Sequence, residues 1–182
     1  MRLLAFLLTG LLSLGPALAD QTDPRLDALF ADLRASDGTA ADAARTQSEI
    51  EALWYAPPET GVGLLFDRAV AAMNDREPAV ALVLLGHLQG LAPSYAEGWV
   101  LAGHAHSAVG DSGAAARAYA EAVRLEPRHY AALGRLGDLA LEAGDKPGAL
   151  ARYREALLLN PHLSEIRARA ESLRDEIGSR EI

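Results

Sequence analysis

Tyr119, Ala122, Leu125 and Pro127 recur as Tyr153, Ala156, Leu159 and Pro161, each 34 residues further on. A chain that repeats at such an interval builds one supersecondary unit several times over. No single unit buries its own apolar face, so neighbouring units must stack. Pro93 lies another 34 residues before Pro127 and sets the register of three units, 62–95, 96–129 and 130–163. Gly103 pairs with Gly137, Gly110 with Gly144, Asp111 with Asp145, and Ala115 with Ala149. The first unit is degenerate but keeps Ala81 and Pro93 in phase.

Each unit reads as two helices joined by a short turn, "VGDSG" in one and "AGDKPG" in the next. Small residues at Gly103, Ala115 and Ala122 let the two helices approach closely, with Trp99, Tyr119 and Leu125 filling the space around them. The proline after each second helix ends it, because it has no N–H to donate and its ring clashes with the preceding turn. The composition agrees with an all-α fold. Half of the 182 residues are apolar, mostly Ala and Leu, which are strong helix formers, and only 5% are aromatic.

The flanks carry their own signals. Residues 1–19 begin with Arg2, continue as an apolar run from Leu3 to Leu14 that is too short to span a bilayer comfortably, and end in Ala17-Leu18-Ala19. This is the pattern of a secretory signal peptide cut after Ala19, which predicts a periplasmic protein. Residues 20–57 read as a helical hairpin. Asp23-Pro24 starts the first helix, with Leu26, Leu29, Phe30 and Leu33 on one face, and "APPETG" at 56–61 closes the second. Residues 164–182 read as a terminal helix with an apolar stripe of Ile166, Ala170, Leu173 and Ile177 and a charged face opposite. Such a helix suits the open end of a stack.

There is no cysteine, so disulfides, a lipid anchor on cysteine and thiolate metal sites are excluded. The net charge is −8, Lys146 is the one lysine, and the arginines are interleaved with acids. That balance argues against nucleic acid and against an anionic membrane surface.

The units resemble tetratricopeptide repeats, whose period is 34. In 96–129 the family's signature positions hold Trp99, Gly103, Ala115, Tyr119, Ala122 and Pro127. In 130–163 they hold Leu133, Leu136, Gly137, Ala149, Tyr153, Ala156 and Pro161. Unit 62–95 departs, with Ala69, Leu85 and Leu88 at the glycine, aromatic and alanine positions. "RLDALFADL", "EIEALW", "YAEGW" and "EPRHYAAL" resemble, more loosely, exported bacterial members of the family. The resemblance implies an α-α superhelix, a solenoid with an N-terminal hairpin and a C-terminal capping helix. The first helix of each pair would line a groove that holds a peptide segment of a partner.

By the family's pattern the groove positions are Phe66, Asp67, Val70, Glu97, Val100, Leu101, His104, Ala131, Arg135, Asp138 and Leu141. Asp67, Glu97 and Asp138 would favour a neutral or basic segment. The Lys, Arg and Asn set with which chaperone-binding members grip a terminal carboxylate is missing. The expectation is a non-enzymatic interaction module for an envelope protein, without cofactor or metal. The alternative is a self-associating structural subunit, a homo-oligomer through its end helices or its N-terminal hairpin with the groove unused.

Three tempting motifs carry little. Ser112 in "GDSGA" matches Lys146 one unit later, so it belongs to an inter-helix turn, and no base or oxyanion site accompanies it. His104 and His106 stand about 200° apart on a helix, too far round for one metal. Gly61 and Gly63 lack the third glycine and the strand of a nucleotide-binding turn, and read as linker and helix start. His104 could titrate if buried beside Glu97, two turns away.

Overall fold

In the computed structural model Gly103 faces the ring of Tyr119 so closely that a Cβ there would sit 2.5 Å from Tyr119 Cε1. Gly137 and Tyr153 repeat the arrangement, also at 2.5 Å. These contacts join the two helices of each repeat, and they explain why glycine and tyrosine recur together. The first repeat reaches the same end with other volumes. Ala69 carries the Cβ that glycine lacks, and the smaller Leu85 replaces the ring, both fully buried.

The structure describes residues 22–35 and 39–179, so the expected signal segment lies outside the described residues. The described residues form nine helices: α1 (Arg25–Ala35), α2 (Ala40–Tyr55), α3 (Thr60–Asn74), α4 (Pro78–Leu91), α5 (Ala96–Ala108), α6 (Ser112–Leu125), α7 (Tyr130–Glu142), α8 (Lys146–Leu159) and α9 (Ser164–Ser179). The protein is an all-α helical-repeat solenoid. Helices α3 to α8 pack as three successive hairpins, and α9 lies against α8. α3 starts at Thr60, so Gly61 and Gly63 both stand at the helix start, and neither is linker.

The turns inside the hairpins are fixed by two residues each. Gly110 and Gly144 adopt φ of 81° and 82°, a left-handed conformation that glycine takes without steric cost. Asp111 and Asp145 then cap α6 and α8 by accepting the N–H of Ala114 and Gly148. Ser112 is the exposed first residue of α6 behind this cap, and the "GDSGA" motif is a turn and a helix start.

The turns between hairpins use the residue before proline. Glu126 and Asn160 are buried, and each accepts the backbone N–H two residues on, from Arg128 at 2.8 Å and His162 at 3.0 Å. Asp23 holds Arg25 N–H in the same way at 2.9 Å ahead of α1.

The N-terminal hairpin does not extend the stack. It folds back across the turns that enter α5, α7 and α9. Tyr95 Oη donates to the Tyr55 carbonyl at 2.9 Å, Trp54 stacks on His129, and Asn160 donates to Gln47 at 3.1 Å. Helix α1 packs against both α2 and α8, with Asp27 bound to Arg128 at 2.6 Å and the Leu33 carbonyl 3.1 Å from His162 Nε2. Leu26, Phe30, Leu33, Ile50, Leu53 and Trp54 form one apolar cluster with Tyr130, Leu133 and Ala156 of the repeats. Each fully buried aliphatic or aromatic side chain contributes about 1.5–3 kcal/mol, so six of them fasten the hairpin firmly.

Candidate interaction groove

Helices α3, α5 and α7 are the first helices of their pairs, and their inward residues face a hollow that α2 walls on one side. Two cavities lie along it. The first, of about 450 Å³, is lined by Phe66, Asp67 and Val70 from α3, by Glu97, Val100, Leu101 and His104 from α5, and by Tyr55 from α2. The second, of about 400 Å³, lies between α7 and α9 and includes Gln47, Glu51, Ala131, Arg135, Asp138 and Arg169. Leu141 lines a smaller space with Asp138, Glu142 and Arg169. Seven of the sequence-expected groove residues thus share one cavity, and Ala131, Arg135 and Asp138 share another.

The first cavity is mainly apolar. Phe66 and Val100 are buried and make its floor, while Val70 and Leu101 are half-buried and make its sides. Tyr55 and Asp67 are exposed at its edge. The Tyr55 and Phe66 rings lie 6.0 Å apart, and Phe66 meets the buried Tyr95 edge-on at 5.5 Å. Such tilted aromatic pairs hold each other's orientation as well as their area.

Glu97 corrects the sequence reading. It is 4% exposed and accepts a hydrogen bond from His129 Nε2 at 2.9 Å, so it is no solvated groove charge. His129 Nδ1 accepts the N–H of Ala132 at 3.2 Å and caps α7, which leaves the ring proton on Nε2 to face Glu97. The histidine beside Glu97 is therefore His129, not His104.

His104 instead sits 3.1 Å from Tyr119 Oη, and its pKa is lowered, first by burial and then by the charge of Arg135. Asp138 holds the same place one repeat later. It accepts from Tyr153 Oη at 2.7 Å and from Arg169 at 2.5 Å, with Arg135 at 3.4 Å. Burial first, and then the bond to Asp138, push the Tyr153 phenol up to about 12, so it stays a donor. In both repeats the residue after the signature glycine is tied to the signature tyrosine. Val70 holds that place in the first repeat, where Leu85 stands for the tyrosine and has no hydroxyl to offer, and Val70 packs instead on the cluster of Phe66 and Leu88.

Tyr55, Gln47 and Glu51 were not legible as groove residues. Their signal was indirect: Phe30 and Trp54 give the hairpin more aromatic surface than two helices can cover. Leu173, the centre of the stripe expected for self-association, is buried against α8 and offers no free face. Among the described residues no group of three His, Cys, Asp or Glu side chains is placed to hold a metal ion.

Comparison with known proteins agrees with this architecture. The tetratricopeptide repeat profile matches residues 100–164. No curated protein matches the chain in sequence. The tetratricopeptide domain of Sgt2 from Aspergillus fumigatus is similar at TM-score 0.62 and 23% identity, covering 68% of this chain and 83% of that one. MamA is similar at TM-score 0.62 and 20% identity, covering 79% and 88%. The type III secretion chaperone SycD of Yersinia enterocolitica, solved with a peptide of the translocator YopD, is similar at TM-score 0.61 and 16% identity, covering 68% and 97%. With its 34-residue period, paired helices and glycine–tyrosine contacts, the chain has the fold of tetratricopeptide repeat proteins and carries that family's repeat over residues 100–164.

Proposed function

We propose that this is a periplasmic, non-enzymatic scaffold that binds an extended or helical segment of another envelope protein along the groove. Tetratricopeptide solenoids are interaction modules, whose stacked first helices offer a concave surface to a partner. SycD, of similar fold, was solved with a bound peptide. The observation that carries the reading is the apolar cavity between Tyr55, Phe66, Val70, Val100 and Leu101. It has room for one large apolar side chain of the segment, whose burial is worth about 25 cal/mol per Å². Asp67 at its edge favours a neutral or basic flank. Arg135 and Arg169 both pair with Asp138, and Arg169 also with Glu165, which weakens their attraction for an acidic one. A groove of three hairpins is short, and its affinity for one segment is modest.

The test is site-specific crosslinking in intact cells. A photoreactive residue at Leu101 should trap one discrete envelope protein, and the same residue at Arg154 on the outer face should trap none. Equal capture at both positions, or none at Leu101, contradicts the reading. Fractionation of the same cells checks the compartment, since a chain recovered from the cytoplasm removes an envelope partner.

A further inference from the structure

The chain supplies its own standard for how an outer helix meets solvent. On α6, Arg117, Glu121 and Arg124 face outward, and on α8, Arg154 and Glu155 do. The matching positions on α4, counted back in steps of 34, are Val83, His87 and Gly90, then Gly86 and again His87. α4 contains no Asp, Glu, Lys or Arg at all. Val83 is 62% exposed, Leu91 68% and Val80 48%.

Two glycines on this face lack an internal reason. A Cβ at Gly98, Gly103, Gly134 or Gly137 would strike a neighbouring side chain inside the molecule, at 2.4 to 2.6 Å. A Cβ at Gly86 or Gly90 would meet nothing within 4 Å. A glycine inside a helix weakens it relative to alanine, so Gly86, in the middle of α4 where Gly90 stands near its end, points to an approach from outside.

The end of the stack is open as well. Leu64, 54% exposed, stands one period before Gly98, which is buried against Leu88 of the preceding hairpin. Among the described residues no hairpin stacks on this end, because α1 and α2 fold back over the later turns.

We propose that the outer face of α4, from Val80 to Leu91, is the contact between two copies of this chain, packed as an antiparallel α4–α4 pair about a twofold axis. A twofold contact must be complementary to itself, and a face without charge meets that condition on a chain of net charge −8. A charged partner would call for countercharges, and α4 has none. Gly86 and Gly90 let the two backbones approach, and Val83 and Leu91 of each copy fill the space beside them. The helix has 14 residues, about 21 Å long by 10 Å wide. That footprint falls short of the roughly 800 Å² per partner of a stable complex, so the dimer is weak and depends on concentration. It leaves the groove open and stands whether or not the groove binds a segment.

Sedimentation of the purified protein over a range of concentrations tests it, alongside Val83→Arg, which restores the charge that Arg117 carries one repeat on. The wild type should pass from monomer to dimer, and Val83→Arg should raise the dissociation constant at least about tenfold at unchanged melting temperature. The chain has no cysteine, so Gly86→Cys reports directly. Under oxidation it should give a covalent dimer, while Ala151→Cys, at the place of Val83 two repeats on, should not. A wild type that stays monomeric, a Val83→Arg variant that still pairs, or equal crosslinking of both cysteine variants overturns the proposal. A monomer whose α4 instead takes up a different protein overturns it too.

Discussion

Trp54 stacks on His129, with ring centroids 4.4 Å apart and planes inclined by 13°. The contact spans 75 residues of sequence and ties the N-terminal hairpin to the start of α7. It places α2 as a wall of the groove, since Tyr55 is the next residue and lines the cavity with Phe66 and Val70.

Trp54→Ala should cost about 3–5 kcal/mol in chemical denaturation, the range for emptying a buried aromatic site. It should also expose the hairpin to limited proteolysis before the repeats are cut. Trp54→Phe should cost under about 1.5 kcal/mol. Trp54 Nε1 has no hydrogen-bond partner among the described residues, so losing that group removes an unsatisfied donor rather than a bond.

Gly103→Ala and Gly86→Ala should move stability in opposite directions. The first puts a Cβ 2.5 Å from the Tyr119 ring, with overpacking of about 1–3 kcal/mol. The second meets open space and gains up to about 1 kcal/mol of helix propensity. Thermal unfolding of dilute protein reads both.

The repeats were legible because their contacts are local and periodic. Gly103 with Tyr119 and Gly137 with Tyr153 are each 16 residues apart, and the pair recurs after 34. The same register places Phe66, Val70, Val100, Leu101 and His104 on inward faces. The fold-back of the hairpin was not legible. Its contacts, Gln47 with Asn160 and Leu33 with His162, join distant residues and recur nowhere. Glu97 was misread for the same reason: its partner His129 sits on a turn that only the folded chain brings to it. The uncharged face of α4 was visible in the letters, yet it gained meaning only when no helix among the described residues packed over it.

Stability should fall as the pH drops through and below 6.5. The folded state lowers the His104 pKa from 6.5, chiefly by burial, so the unfolded chain binds the proton first. The contribution is complete above the unfolded value and declines as pH falls towards the folded one. Glu97 opposes the shift, and Arg135 and His129 reinforce it. Melting temperatures between about pH 7.5 and 5.5 should fall less for His104→Gln than for the wild type. Equal slopes would assign the pH dependence to other groups.

The most direct measurement is the affinity of the crosslinked segment for three variants. Leu101→Asp puts a charge in the apolar cavity, Tyr55→Ala removes its hairpin wall, and Leu158→Asp alters a 74% exposed residue of α8. The first two should weaken binding at least about tenfold while each variant remains folded at the assay temperature, because a charge or a lost aromatic wall at the buried contact costs more than 1.4 kcal/mol of binding. Leu158→Asp should bind like the wild type. Wild-type affinity in the Leu101 and Tyr55 variants, or equal loss in all three, would contradict a groove that binds.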